Sequence, residues 1–271
     1  MSLRVALFTR DSPLSAEAVA AALALPGVRV VLLGQSLPYR PGAGGALAQL
    51  WRHWRRSGWR LLPYLLVNYA LPGGLPRLAR ARGLPLLPVA DVNGPAMAAA
   101  LRQAAPDLLV SLHFDQIFTA ETLALAPLGG VNLHPSLLPA GRGPVPVLWA
   151  LAEPEPVLGV TLHRLVPRID AGAVLGQQVV ALPPGISASA ATRALHLAGV
   201  ELLAAHLAQP AAEGVAVPVL PYCPFPPPAM LRGLARRGRR LVRMCDLVMA
   251  VRLALDPNRA SRQCRGEKKA G

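Results

Sequence analysis

The chain has 271 residues, of which 53% are apolar, 15% charged and 4% aromatic, and its formal net charge is +14. That much apolar material supports one large domain, or one domain with a small appendage, and excludes intrinsic disorder over most of the length. The charge is uneven, because residues 231–271 hold twelve Arg/Lys against three Asp/Glu, so the partners it favours are nucleic acid, anionic lipid or an acidic substrate; a solvated surface accounts for it equally well.

In chain order, Leu3 to Phe8 reads as a buried first strand, and Glu17 to Leu25, after Ser12-Pro13, as a helix. Met1 to Asp11 carries Arg4, Arg10 and Asp11 and no continuous apolar h-region, so no secretory signal is expected. Val28 to Leu33, bounded by Gly27 and Gly34, is a second strand; 84–89, 107–112 and 130–134 are further strands, separated by helices over 95–103 and 120–125. The cleanest apolar stretch, Leu61 to Pro76, is 16 uncharged residues broken by Pro63, Asn68, Pro72, Gly73 and Gly74, whereas a membrane span needs about 20. Strands over 157–165 and 173–182 and a long helix over 187–208 follow. Alternation of this kind predicts an α/β domain with a mostly parallel sheet flanked by helices. After Gln209-Pro210 the composition turns Pro-rich (221–228) and then basic, which places a boundary near residue 210: a domain over 1–210, and a Pro-rich linker with a short basic, helical extension over 211–271. Cys223, Cys245 and Cys264 are too few and too scattered for a disulfide framework or a zinc site, so they read as reduced thiols of a cytoplasmic protein.

Dinucleotide binding is the first guess for such a sheet, and the residues argue against it. The first strand leads into Thr9-Arg10-Asp11-Ser12-Pro13, without the glycines that let backbone approach a pyrophosphate. The only lysines are Lys268 and Lys269, so there is no P-loop lysine either.

The chemistry concentrates in two segments. In Gly130-Val-Asn-Leu-His-Pro-Ser-Leu-Leu-Pro, Asn132 and His134 stand two apart at the end of a strand and therefore share a face. Polar side chains there are costly unless paired or at work, and the carboxyl end of a parallel strand is where α/β sheets place ligands. A buried Asn–His pair bracing the loop is the plainer reading of that spacing. In Gly159-Val-Thr-Leu-His-Arg-Leu-Val-Pro-Arg-Ile-Asp-Ala-Gly, a loop delivers Asp170, either as a turn-capping carboxylate or beside His134, where it would favour the charged imidazole. His113 and His163 read as strand-end residues with satisfied hydrogen bonds, and His53, His196 and His206 receive the same reading.

Asn132-x-His134-x-Ser136-Leu-Leu-Pro139, Arg142-Gly-x-x-Pro146 and the later Gly159-Val-Thr … Asp170-x-Gly172 resemble the hallmark elements of the folate-dependent formyltransferases, over about residues 84–208. The 159–172 segment is nearest to the form found in amino-sugar formyltransferases. The resemblance implies a Rossmann-like catalytic domain over 1–210, 10-formyltetrahydrofolate as formyl donor, no metal, and a primary amine as acceptor. It implies that Asn132 stabilises the oxyanion of the tetrahedral intermediate, that His134 donates and accepts the proton, and that Asp170 raises the pKa of His134. It also implies that the folate lies along Gln116, Ile117 and Phe118 and along Val166, Pro167, Arg168, Ile169 and Asp170. An amino-sugar nucleotide or other small amine is the expected acceptor. Methionyl-tRNA is the alternative, weakened because only about 60 residues follow position 210; water as acceptor and a non-catalytic folate-binding relative are the others.

Residues 34–80 do not follow the family pattern. There, Trp51-Arg-His-Trp-Arg-Arg-Ser-Gly-Trp-Arg60 puts three of the four tryptophans among four arginines and runs into an apolar stretch. This composition suits a membrane interface, so peripheral contact with the inner face of a membrane, through 51–71 or 231–255, is one expectation, and an amphipathic helix packed on the sheet is the other.

Overall fold

The computed structural model describes residues 2–37 and 44–256. In chain order it contains β1 (Leu3–Thr9), α1 (Ala16–Ala22), β2 (Val28–Ser36), α2 (Gly45–Ser57), α3 (Leu62–Leu65), α4 (Leu75–Ala81), β3 (Leu86–Val89), α5 (Pro95–Ala104), β4 (Leu108–Leu112), α6 (Ala120–Leu123), β5 (Gly130–His134), α7 (Pro146–Ala152), β6 (Gly159–Arg164), β7 (Val174–Val179), α8 (Ala188–Leu207), α9 (Pro228–Arg236) and α10 (Met244–Leu255). A 3-10 turn, Trp59–Leu61, precedes α3, and a π-helical turn, Leu66–Ala70, follows it. Cys264 and the end of the basic segment lie outside the described residues.

The strands form one seven-stranded sheet in the order β3-β2-β1-β4-β5-β6-β7. From β3 to β5 every pairing is parallel, while β6 and β7 pair antiparallel. This is the mostly parallel α/β sheet that the alternating elements predict, with two antiparallel strands at one edge. The central strand β4, Leu-Leu-Val-Ser-Leu, is buried along its whole length, as a parallel strand covered on both faces must be. The edge strand β7 exposes Gln177 and Val179 with Gln178 half-buried between them, the alternation of a sheet margin.

The chain builds β1, β2 and β3 in one direction and then crosses to the other side of β1 to lay down β4. Such a reversal leaves a crevice outside the carboxyl ends of β1 and β4, where ligands of open α/β sheets bind. One face is packed by α1 and α8 through Val5, Leu7, Val19, Leu133 and Leu203. Another cluster joins Phe8, Leu109 and Phe118 to Met97 and Leu101 of α5.

The chain after residue 210 packs onto the domain. Leu231 and Leu234 of α9 share a buried cluster with Tyr64, Val160 and Leu195. Asp246 of α10 is fully buried and satisfied: it accepts from Ser187 Oγ at 2.6 Å, from Arg193 Nη2 at 2.8 Å and from the Arg243 backbone N–H at 2.8 Å. Ser187 in turn caps α8 by accepting from the Ala190 N–H. A buried carboxylate is tolerable only when paired in this way, and it ties α10 to the start of α8. Among the described residues no helix is long and apolar enough to cross a membrane.

Candidate active site

At the carboxyl end of β5, Asn132 and His134 face the same cavity, of about 550 Å³. His134 is buried, with Nε2 3.0 Å from the Gly141 carbonyl oxygen. A carbonyl only accepts, so this nitrogen carries the hydrogen. Nδ1 lies 3.5 Å from Asp170 Oδ1, and a proton taken up there would meet a carboxylate.

Asp170 comes from the loop between β6 and β7. Its Oδ2 accepts from the Gly143 N–H at 2.9 Å, and its Oδ1 faces both His134 and, at 3.6 Å, His163 Nε2. The backbone at Asp170 has φ 43°, a left-handed conformation that aspartate tolerates better than most side chains. Two residues on, a Cβ at Gly172 would collide with the Arg164 carbonyl, so the loop can close back on β6 only with glycine there. The buried Arg142 guanidinium fastens the loop, donating to the carbonyls of Ile169 and Asp170 and, across the cavity wall, to Leu220. Arg142 is a positioning residue that sequence reasoning passed over; the signal was its place in the Arg-Gly element.

Asn132 stands directly opposite His163 in the antiparallel β5–β6 register. His163 Nδ1 lies 2.8 Å from the Arg164 carbonyl and so carries the hydrogen, leaving Nε2 to accept from Asn132 Nδ2 at 3.0 Å. One amide hydrogen of Asn132 is used in this way and the second is left for a ligand. His163 is satisfied, as its sequence position suggested, but it also orients both Asn132 and Asp170. Only the antiparallel pairing brings it there.

The charges are set by burial and by this geometry. Burial lowers the His134 pKa from its usual 6.5; Asp170 opposes that shift, and His163 reinforces it. Asp170 thus acts in the expected upward direction, but desolvation outweighs the carboxylate and the net shift is downward. Burial alone would raise the Asp170 carboxyl, yet the two imidazoles and the Gly143 N–H hold it down at about 2, against an ordinary 3.8. A depressed folded-state pKa contributes stability that is present above about pH 3.8 and is lost as the pH falls toward 2. Chemical denaturation of wild type and Asp170→Asn should accordingly show a gap that is largest where the imidazoles are protonated and that closes as the pH falls through this window.

The structure places the expected donor-site residues unequally. Val166, Arg168, Ile169 and Ile117 line the cavity, with Ile117 half-exposed at its rim. Gln116 also lines it, but its amide is engaged: Oε1 accepts from the Val92 N–H at 2.8 Å and Nε2 donates to the Val89 carbonyl at 3.0 Å. Phe118 is placed differently from the expectation of an open ligand surface, because its ring is buried against Phe8 and Phe114 and borders the cavity only from the core. Pro167 belongs to the same loop as Val166 but is not among the cavity-lining residues.

The cavity is also lined by residues that no spacing in the sequence revealed. Gln49, His53 and Arg56 reach it from α2, and Tyr222 and Phe225 from the Pro-rich segment. His53 packs edge-on against Phe225 at 4.6 Å, and burial together with Arg56 and Arg52 lowers its pKa. Arg10, which also lines the cavity, pairs with Asp115 at 2.7 Å and covers the Tyr69 ring. His113 and His196 also line the cavity, and each has a partner, Ser15 Oγ at 3.2 Å and the Leu14 carbonyl at 2.9 Å. His206 and His53 each retain one buried ring nitrogen with no hydrogen-bond partner, unlike the reading of both as satisfied.

Asn132, His134 and Asp170 thus stand together beside a cavity at the carboxyl ends of the parallel strands, where open α/β sheets bind ligands. Residues 87–207 match the family model described as formyl transferase. Among solved structures the chain is similar to a sugar N-formyltransferase from Shewanella sp. (19% identity, 82% of this chain and 77% of that one, TM-score 0.53). It is similar also to a phosphoribosylglycinamide formyltransferase from Bacillus halodurans (21% identity, 75% and 93%, TM-score 0.53). A formyltetrahydrofolate deformylase from Pseudomonas syringae shares the fold as well (17% identity, 77% and 62%, TM-score 0.54).

Proposed function

We propose that the protein transfers a formyl group from 10-formyltetrahydrofolate to the nitrogen of a small primary amine, such as an amino-sugar nucleotide. The observation that carries this reading is the convergence of Asn132 and His134, from strand β5, and Asp170, from the loop between β6 and β7, on one cavity wall. The donor supplies an activated formyl carbon. The apolar side chains of Ile117, Val166 and Ile169 suit one face of a flat pterin ring.

In the reaction a C–N bond forms to the amine and the C–N bond to the donor nitrogen breaks; one proton leaves the amine and one reaches the donor nitrogen. The free amide hydrogen of Asn132 stabilises negative charge as it develops on the formyl oxygen. His134, kept neutral by burial, accepts the amine proton at Nδ1 and returns it to the departing nitrogen. Asp170, ionised throughout, holds the imidazolium between those two events.

The test is tetrahydrofolate release from 10-formyltetrahydrofolate against a panel of water alone, amino-sugar nucleotides and methionyl-tRNA. Release that requires an amine supports the transferase and names the acceptor class. Release in water alone makes the protein a hydrolase. Saturable donor binding without release makes the set a binding site and overturns the reading.

A further inference from the structure

Helix α2 is inverted. Its polar positions Gln49, His53 and Arg56, spaced four and three apart, form one face and line the cavity. Its apolar positions Leu47, Leu50, Trp51 and Trp54, spaced three, one and three apart, form the opposite face and point to solvent. Leu47 is 82% exposed, Trp51 51% and Trp54 54%. An amphipathic helix packed on a domain normally does the reverse and buries its apolar stripe. The exposed apolar surface continues through Trp59, 63% exposed, and Leu66. Helix α10 packs against the turn that contains Leu66 and adds an outward row of its own, Met244, Val248, Val251 and Leu255.

We propose that this outer face of α2 docks the protein onto an anionic lipid bilayer. The charge pattern selects the partner. Residues 18–90 hold nine arginines and no Asp or Glu. Arg55 lies over the Trp51 ring at 4.7 Å and Arg60 over the Trp59 ring at 4.6 Å, so cations border the indoles. Indole rings flanked by arginine belong at the headgroup boundary, and the leucines between them need hydrocarbon beneath. A second copy of the same face would set arginine against arginine with no carboxylate to pair. A nucleic acid would satisfy the arginines and leave the leucines in water. Docked in this way, α2 lies between bilayer and cavity, which puts the cavity about 10 Å, one helix diameter, from the headgroups.

The full chain should be floated with phosphatidylcholine vesicles, with and without phosphatidylglycerol, at low salt. Each arginine near an anionic surface is worth about fivefold, so Arg55 and Arg60 together predict roughly twenty-five-fold stronger binding to the anionic vesicles. Tryptophan emission should shift to the blue on binding. Trp51→Glu/Trp54→Glu should abolish the binding and Arg55→Glu/Arg60→Glu should remove its preference for anionic lipid; both pairs face outward, so folding is expected to persist and is checked by circular dichroism. No vesicle binding at low salt overturns the proposal, as does binding that survives the tryptophan changes. Self-association abolished by the same changes assigns the face to a second copy, and retention on tRNA without vesicle binding assigns it to nucleic acid; either result also overturns it. Tetrahydrofolate release against soluble amines, unchanged in Trp51→Glu/Trp54→Glu, keeps a failure of docking distinct from a failure of the transfer reading.

Discussion

Replacing His134 with alanine is expected to lower kcat for formyl transfer by about 10²–10⁴-fold, the range for loss of a positioned acid–base group. The imidazole is the one group in the site that bears a hydrogen on one nitrogen while offering the other, Nδ1, as a proton acceptor beside a carboxylate. Its lowered pKa keeps the accepting form populated at neutral pH, so the wild-type rate should rise with pH through a limb placed below 6.5. In His134→Ala that limb should be absent. Single-turnover tetrahydrofolate release across a pH series reads both effects, with donor binding followed separately by calorimetry. A variant that keeps its rate within tenfold of wild type would remove His134 from the chemistry.

Asn132→Ala is expected to cost about 10²–10³-fold in kcat, the usual effect of losing one oxyanion donor. The affinity for the donor should change little, because the amide hydrogen is needed most as charge accumulates on the formyl oxygen. The loss should appear equally in kcat and kcat/KM. A rise in KM with kcat preserved would instead make Asn132 a binding contact. His163→Ala serves as a comparison: it removes the acceptor that orients Asn132 without touching the second amide hydrogen, so a smaller loss with an unchanged donor affinity is the expected pattern.

Much of the site was legible in the sequence because it is local. The spacing of Asn132 and His134 on one strand places both on one face whatever surrounds them, and the residues after them hold the loop that supplies the Gly141 carbonyl. The alternation of apolar runs likewise predicts a mostly parallel sheet, since a strand buried on both faces has to be apolar throughout, as β4 is. Glycine at position 172 was visible as part of a motif, while its reason, the approach of the Arg164 carbonyl, was not.

What only the tertiary structure decided depends on elements far apart in the chain. The sign of the His134 shift follows from how deeply its neighbours bury it, a sum over many residues that no motif encodes. His163 acquires a role because β6 runs antiparallel to β5 and sets it opposite Asn132. The orientation of α2 is the sharpest case. Its sequence carries an apolar stripe and a polar stripe, and periodicity fixes their separation but not which one meets the domain. That choice belongs to the fold, which had a cavity to line at this position rather than a core to fill, and so turned Gln49, His53 and Arg56 inward and left the tryptophans outside.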